Sequence, residues 1–423
     1  NLNTVIENRK TIKDEQKNAL EHVTRDGNGV SFLRGFAGAG KSYTMSAVKE
    51  AFESENYNVL GVSPTNKAAS ELEKSSGIKS TSIDSLLYKI KSNEINLHEK
   101  AVIIIDEGAM ADSRKTYLIN EYAKNNSVKL IYVGDEKQIQ PILGGQAFGT
   151  SVKKFGASQL KEIIRQKNEF EGKAILEIRD GKAENTLEYY SKNNSFHFQN
   201  SRLKTEEKII YDWGKYTIQN NDKSSFIVAT TNKSIDRLNV LARDYLKQNN
   251  QLENEVIIKS KSGNIPIAEK EKIIFTDSNK RNGIYRSEIV TVKSVTNDKI
   301  VAIKKDGREL EFNPNKFNSF KHAYAITAHK SQGSTVDRSF VLIDSKSMDR
   351  EKFYVAISRG ELNNQIYADK DSVGISDSDY EKLYGIKKEN ITHKENEIYM
   401  REISKSLNKS NMKNTTQDFV LKD

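Results

Sequence analysis

The sequence predicts an α/β protein built from two parallel-sheet units, each carrying a small insertion. Two observations predict it. Short, continuously apolar runs alternate with amphipathic stretches over the first 170 or so residues, and the same alternation resumes near residue 225. A glycine-rich G-x-x-x-x-G-K-[ST] segment also lies between the first apolar run and a helical pattern, the setting of a phosphate loop.

In the first unit the apolar runs are Ser31-Phe32-Leu33, Val59-Leu60-Gly61-Val62, Val102-Ile103-Ile104-Ile105 and Leu130-Ile131-Tyr132-Val133. Strands apolar on both faces and alternating with helices describe a parallel sheet covered on both sides. The second set is Ser225-Phe226-Ile227-Val228, Tyr324-Ala325-Ile326-Thr327 and Phe340-Val341-Leu342-Ile343. Two such units in one chain are expected to enclose a cleft. Residues of about 256 to 320 read differently. Glu288 to Lys293 and Lys299 to Ile303 alternate with period two, and Asp306-Gly307 is a hairpin signal before Glu309-Leu310-Glu311-Phe312. A small β-barrel inserted in the second unit is the expectation. A smaller insertion, about 76–99, interrupts the first. The expected division is therefore 1–170, 171–370 and a polar C-terminal extension or linker over 371–423, with an amphipathic helix near Ile398 to Leu407.

Composition narrows the classes. A chain of 423 residues exceeds one ordinary core, and 36% hydrophobic with 30% charged residues suits a globular protein. No run approaches the ~18 apolar residues of a membrane span, so no membrane insertion is expected. The formal charge of +9 favours a polyanionic partner. The crowding of Lys, Asn and Ile, typical of an AT-rich coding sequence, weakens that inference. The absence of cysteine excludes disulfides and thiolate zinc sites and fits a cytoplasmic location. The start, Asn1-Leu2-Asn3-Thr4, has neither Met nor a signal region and reads as a fragment cut from a longer protein. A monomer is expected.

The glycine-rich segment is Gly35-Phe36-Ala37-Gly38-Ala39-Gly40-Lys41-Ser42. Gly35, Gly38 and Gly40 let backbone N–H groups wrap phosphates, Lys41 neutralises the β- and γ-phosphates of ATP, and Ser42 coordinates Mg²⁺. Asp106-Glu107 closes the strand Val102 to Ile105. At a strand's carboxyl edge Asp106 can hold the metal, and Glu107 can act as general base toward the attacking water. Gln138, in Gly134-Asp135-Glu136-Lys137-Gln138, follows the next strand and can bond the γ-phosphate or that water. Arg165 in Leu160 to Gln166, and Arg359 in Tyr354-Val355-Ala356-Ile357-Ser358-Arg359, are candidate cationic clamps on the transferring phosphoryl group.

Taken in order, these segments resemble the motif series of the RecD-like superfamily 1 helicases. Gln16 in Thr11 to Gln16 resembles that family's adenine-reading glutamine. Pro64-Thr65-Asn66-Lys67-Ala68-Ala69 resembles motif Ia, and Ser80-Thr81-Ser82-Ile83 motif Ib. Asp106-Glu107 matches motif II, Gly134 to Pro141 motif III, Tyr324 to Thr335 motif V and Tyr354 to Arg359 motif VI. Within the family, the helicase portion of TraA-type conjugative relaxases is the nearest in wording. Such a relaxase also carries an N-terminal histidine cluster and a nicking tyrosine; the six histidines here are scattered with no His-x-His, so a nicking domain is expected to lie outside this chain.

The resemblance spans about residues 11 to 365. It implies two RecA-like P-loop motor domains with inserted small subdomains, one a β-barrel, and ATP-driven 5′→3′ translocation on single-stranded DNA. It places Gly333 with the nucleotide-binding residues and Pro64, Thr65, Thr327, His329 and Ser331 along the DNA. His329 reads equally well as a core histidine, and each Thr or Ser as a helix cap. Tyr88 or Leu97 could tip a strand-separating wedge, although core packing is the commoner role. Trp213, Tyr189, Tyr190, Phe196 and Phe198 are expected in the second core rather than against bases. The segment after 371 is a candidate contact for conjugation or secretion machinery.

Three positions depart from the family pattern: Gly108 replaces Ala or Ser, Asp84 replaces His, and Tyr285-Arg286-Ser287-Glu288 replaces an Asn-Gly turn. The competing readings are a non-catalytic DNA-binding remnant, a translocase that does not unwind, and an RNA helicase.

Overall fold

Six parallel strands form the sheet of the first unit. The computed structural model describes residues 2–25, 29–140, 147–373 and 394–412, and the chain divides into two units, Asn1–Lys167 with Asn411–Asp423, and Asn168–Ser410. The first unit runs α1 (Leu2–Asn8), α2 (Asp14–Thr24), β1 (Val30–Gly35), α3 (Lys41–Ser54), β2 (Asn58–Ser63), α4 (Asn66–Ser76), β3 (Ser80–Ser82) and α5 (Ile83–Lys91). It continues with β4 (Ala101–Ile105), α6 (Ser113–Asn125), β5 (Lys129–Gly134), α7 (Ala147–Phe155) and β6 (Ser158–Leu160). The strand order is β3-β2-β4-β5-β1-β6, parallel throughout. Every residue of β4 is buried, which is why its sequence is an unbroken apolar run. Its Ile103 and Ile105 pack with Leu86, Ile119, Ala123 and Phe148. Because β4, β5 and β1 are neighbours, the loops that leave their carboxyl ends share one edge of the sheet. Open α/β sheets bind ligands at such an edge.

Leu97 is buried in this same core, so it cannot tip a wedge, whereas Tyr88 is 65% exposed on α5.

The second unit starts with α8 (Glu169–Arg179), α9 (Ala183–Lys192), β7 (Phe196–Gln199), α10 (Arg202–Gln219), β8 (Ser225–Ala229) and α11 (Asn232–Gln248). Then come the inserted strands β9 (Val256–Ser260), β10 (Gly263–Ile267), β11 (Lys272–Phe275), β12 (Ile289–Val295), β13 (Ile300–Ile303), β14 (Glu309–Phe312) and β15 (Phe320–His322). The unit resumes with β16 (Ala325–Thr327), α12 (Ala328–Ser331), β17 (Arg338–Leu342), α13 (Arg350–Ile357), β18 (Gln365–Asp369), α14 (Lys370–Val373) and α15 (Lys394–Leu407). Its main sheet is parallel, in the order β16-β8-β17-β18-β7. Trp213 and Tyr190 are buried in this unit, Trp213 edge-on to Tyr324, and Phe198 stacks on Tyr399.

The insertion is antiparallel, as its alternating pattern predicts. Its strands form a hairpin, β10-β9, and a five-stranded sheet, β14-β13-β12-β11-β15. Among the described residues no pairing joins β14 to β15, so the expected barrel is an open sheet in its hydrogen bonding. Its core centres on Phe275, fully buried and edge-on to Phe312 and Phe317 at 5.6 and 5.8 Å between ring centres. Phe275→Ala should cost about 3–5 kcal/mol. The check is an unfolding curve followed by the fluorescence of Trp213, the single tryptophan. Its midpoint should fall.

The amphipathic pattern near Ile398 to Leu407 lies in α15, which buries Tyr399, Ile403 and Leu407 at every fourth residue. The segment that follows is bonded to two other helices. Asn408 Oδ1 accepts the N–H of Ala183 at 2.9 Å, and the Lys409 carbonyl accepts that of Arg350 at 3.0 Å. The Ser410 hydroxyl donates to Glu351 at 2.6 Å.

Candidate nucleotide site and nucleic-acid interface

The loop between β1 and α3 turns twice through left-handed glycines, Gly38 at φ 82° and Gly40 at φ 77°, a conformation costly for any residue with a Cβ. Sterics reinforce the choice at Gly40, where a Cβ would lie 2.7 Å from Nε2 of Gln16 and 2.8 Å from Ile164. The Gly38 carbonyl accepts the backbone N–H groups of Ile164 and Arg165 at 2.9 and 3.1 Å. Gln16, Gly38, Gly40 and Arg165 are thus gathered on one loop, although 149 positions separate Gln16 from Arg165. Lys41 lies across Gly35, its Nζ donating to the carbonyls of Gly35 at 2.8 Å and Phe36 at 3.3 Å. Ser42 is in the first turn of α3.

Asp106 and Glu107 follow β4 at the same edge. Asp106 is held by its backbone N–H, which donates to Val62, and its Oδ1 is buried with no hydrogen-bond partner. Burial pushes its carboxyl up to about 6, helped by the Glu107 charge and opposed by Lys41 and by the N–H of Glu107. Glu107 has φ 51°, a strained backbone for a non-glycine residue. An orphaned oxygen and a hydroxyl on a helix's first turn suit Mg²⁺, which takes few protein ligands and completes its shell with phosphate and water. No cluster of three or more histidine, cysteine or acidic side chains that could hold a metal occurs among the described residues.

The loop after β5 is fixed by its own polar groups. Asp135 caps the turn through the N–H of Lys137, Glu136 pairs with Arg34 of β1, and Gln138 is 2% exposed. Pro141, at the end of this motif, lies outside the described residues.

Within the second unit, Arg359 and Gly333 are neighbours. Arg359 donates from Nε to Val355 at 2.9 Å and from Nη2 to Ser358 at 2.7 Å, with Nη1 3.5 Å from the carbonyl of Ser334. Gly333, at φ 78°, turns the chain after α12.

The DNA candidates divide into two kinds. Thr65 and Thr327 cap α4 and α12, accepting the N–H of Ala68 at 3.1 Å and of Lys330 at 3.2 Å. A hydroxyl that accepts a capping bond keeps its proton to donate elsewhere. Pro64 is half-buried beside Thr65, and His329 is exposed. Ser331 differs: it is fully buried, and its hydroxyl donates to Ala328 at 2.8 Å. Sequence reasoning missed Thr231, which caps α11 through Ser234 at 3.1 Å. The signal was present, since Thr65-Asn66-Lys67 recurs as Thr231-Asn232-Lys233 after the corresponding strand of the second unit.

The three departures have local explanations. Asp84 pairs with Lys115 at 2.8 Å, which offsets part of its negative charge. A Cβ on Gly108 would meet Val133 and Tyr132 at 3.3 and 3.4 Å, so the site is tight for a larger residue. In the 285–288 turn, Ser287 takes the left-handed φ of 67° that Asn or Gly would supply.

Residues 11–201 match the family AAA_30, described as an AAA domain. The chain is 33% identical to the conjugal transfer protein TraA of Rhizobium radiobacter and 32% identical to a probable TraA of Sinorhizobium fredii. Each comparison runs over 371 residues and covers 86% of this chain and 33% of the relative. The chain therefore spans about one third of the length of these curated relatives. Among solved structures, Pif1 helicase from Bacteroides in complex with ADP-AlF3 and single-stranded DNA aligns with a TM-score of 0.57 at 18% identity, over 84% of this chain and 92% of that one. That likeness is one of fold. Among the described residues no helix is long and apolar enough to cross a membrane.

Proposed function

Starting from a chain that is a superfamily 1 helicase related to the TraA conjugal transfer proteins, we propose that it hydrolyses ATP to move 5′→3′ along single-stranded DNA, as the helicase part of a longer conjugative protein. The observation that carries this reading is the single sheet edge shared by the lysine loop, Asp106 with its unpartnered Oδ1, and the strained Glu107.

Gln16 reads the adenine, Gly35, Gly38 and Gly40 present N–H groups to the phosphates, and Gly333 completes the nucleotide site. Lys41 leaves the loop carbonyls for the β- and γ-phosphates. Asp106 and Ser42 would hold Mg²⁺, which when bound screens phosphate charge. Glu107 takes the proton of the attacking water while Gln138 orients it. Arg165 and Arg359 neutralise the charge that develops on the transferred group. Thr65 and Thr327 donate hydroxyl protons to DNA phosphates at helix N-termini, which favour anions. Pro64 and His329 border that path, and Ser331 supports the α12 turn from inside.

Raised to about 6, Asp106 accepts a proton as pH falls below that value, and a proton competes with Mg²⁺. The Mg²⁺ concentration needed for half-maximal binding of ATP should therefore rise about tenfold per pH unit well below pH 6. Titrations at pH 5 and 7.5 would check it. The linked effect on folding has the opposite sign: charging a buried acid whose pKa is raised lowers stability as pH rises from the ordinary 3.8 through about 6.

The decisive experiment is ATP hydrolysis by the purified chain with and without single-stranded DNA, followed by unwinding of duplexes with a 5′ or a 3′ overhang. Stimulation by DNA and unwinding from the 5′ overhang alone are expected. DNA binding without hydrolysis would instead make the chain a non-catalytic remnant.

A further inference from the structure

Glu171, in the first turn of α8, is a fully buried carboxylate. Three of its four hydrogen bonds run to one place in the fold. Oε2 accepts the backbone N–H of Asn363 at 3.0 Å, and Oε1 accepts the N–H and the side-chain amide of Asn364 at 2.9 and 2.7 Å. The phenol of Tyr190 lies 3.3 Å from Oε1. Burial pushes the carboxyl up, and the bonds from Asn364 and Asn363 oppose the shift.

Asn364 passes the contact onward. Its amide also donates to the Ile357 carbonyl at 2.9 Å, and its Oδ1 accepts the N–H of Ser339 at 3.1 Å and the Ser339 hydroxyl at 2.6 Å. Ile357 ends α13, two residues before Arg359. Gly360, next to Arg359, lies so close that a Cβ there would fall 1.8 Å from Asn364 Oδ1 and 2.9 Å from the N of Ser339. The Arg359 carbonyl meanwhile accepts the N–H of Val336 at 3.1 Å. The turn that carries Arg359 is thus backed by Asn364, and Asn364 is backed by Glu171.

A buried anion without a cationic partner is costly unless hydrogen bonds compensate it. Here three of the four compensating donors belong to the segment just after Arg359, and the fourth is the Tyr190 hydroxyl. Two carboxylate oxygens can face several N–H groups without presenting a misplaced donor, which an amide cannot do. We propose that Glu171 is a positioning residue for Arg359: acting through Asn364, it fixes the turn from which Arg359 reaches the ATP phosphates. The proposal rests on the role given to Arg359 above.

The test compares affinities for ADP and for ADP–aluminium fluoride, a mimic of the transferring phosphoryl group, in the full chain with single-stranded DNA. Transition-state mimics report the contacts that ADP alone does not make. Arg359→Ala should weaken the mimic and leave ADP unchanged. Glu171→Gln should weaken the mimic about tenfold, leave ADP within about twofold, and add nothing when Arg359 is already Ala. Ser339→Ala, which removes one bond to Asn364 and leaves Glu171 intact, should give a smaller loss of the same kind. It carries the test if Glu171→Gln does not fold. Equal losses for both ligands, a loss that persists in the Arg359→Ala background, or no loss at all would overturn the proposal. If Arg359→Ala itself changes neither affinity, the role of Arg359 fails, and the proposal with it.

Discussion

Lys41→Ala should abolish DNA-stimulated ATP hydrolysis, a loss of about a thousandfold or more, while leaving the chain folded. The expectation follows from where Lys41 stands. Its Nζ is bonded to the carbonyls of Gly35 and Phe36, the loop that would receive the phosphates, so a small swing brings a full positive charge to bear on them. The mutation removes two hydrogen bonds of a half-buried side chain, a modest change in stability. A phosphate-release assay beside a thermal unfolding curve separates the two effects. Hydrolysis retained by a folded Lys41→Ala protein would refute the site.

The second large effect is expected at Glu107. Glu107→Gln keeps the size and the ability to accept a hydrogen bond from water but cannot take its proton. Turnover should fall by about 10²–10⁴, with ATP affinity preserved or improved. Single-turnover hydrolysis and equilibrium ATP binding, measured on the same preparation, check both halves. If binding is lost along with turnover, Glu107 shapes the site instead of acting as a base. Its φ of 51° makes that distinction worth measuring, because a costly backbone conformation marks a constraint on this residue.

How much of this was legible in the sequence depends on how local each signal is. The loop from Gly35 to Ser42 and the pair Asp106-Glu107 are read from adjacent residues, because a strand that ends in a phosphate loop or a carboxylate needs those residue types in that order. The alternating residues of β12 and β13 announce antiparallel strands. Closure of a barrel depends on whether two edge strands meet, and no residue in β14 or β15 encodes that alone. Side-chain direction was equally hidden. Ser331 stands two residues from the exposed His329, yet it is buried and its hydroxyl bonds the preceding turn. Leu97 takes the commoner of its two expected roles, packing in the core with Phe148, which the sequence alone left beside the wedge tip. Glu171 had no signal: its partners lie 192 and 193 positions away, and a lone Glu near a helix start reads as an ordinary favourable charge.

The position of α15 bears on how the protein is made. Synthesis proceeds from the N-terminus, and domains tend to fold as they emerge. The sheet of the first unit is complete once β6, ending at Leu160, has left the ribosome. The second unit cannot finish so early. Its strand β7 waits for β18, and the faces of α9 and α13 that meet Lys394–Leu407 and the residues just after it stay uncovered until about residue 410 has been added. For much of translation a finished first unit is followed by an open one whose apolar surfaces are available to chaperones or to aggregation. A pause in synthesis between Val373 and Lys394 would prolong that exposure more than a pause anywhere in the first unit.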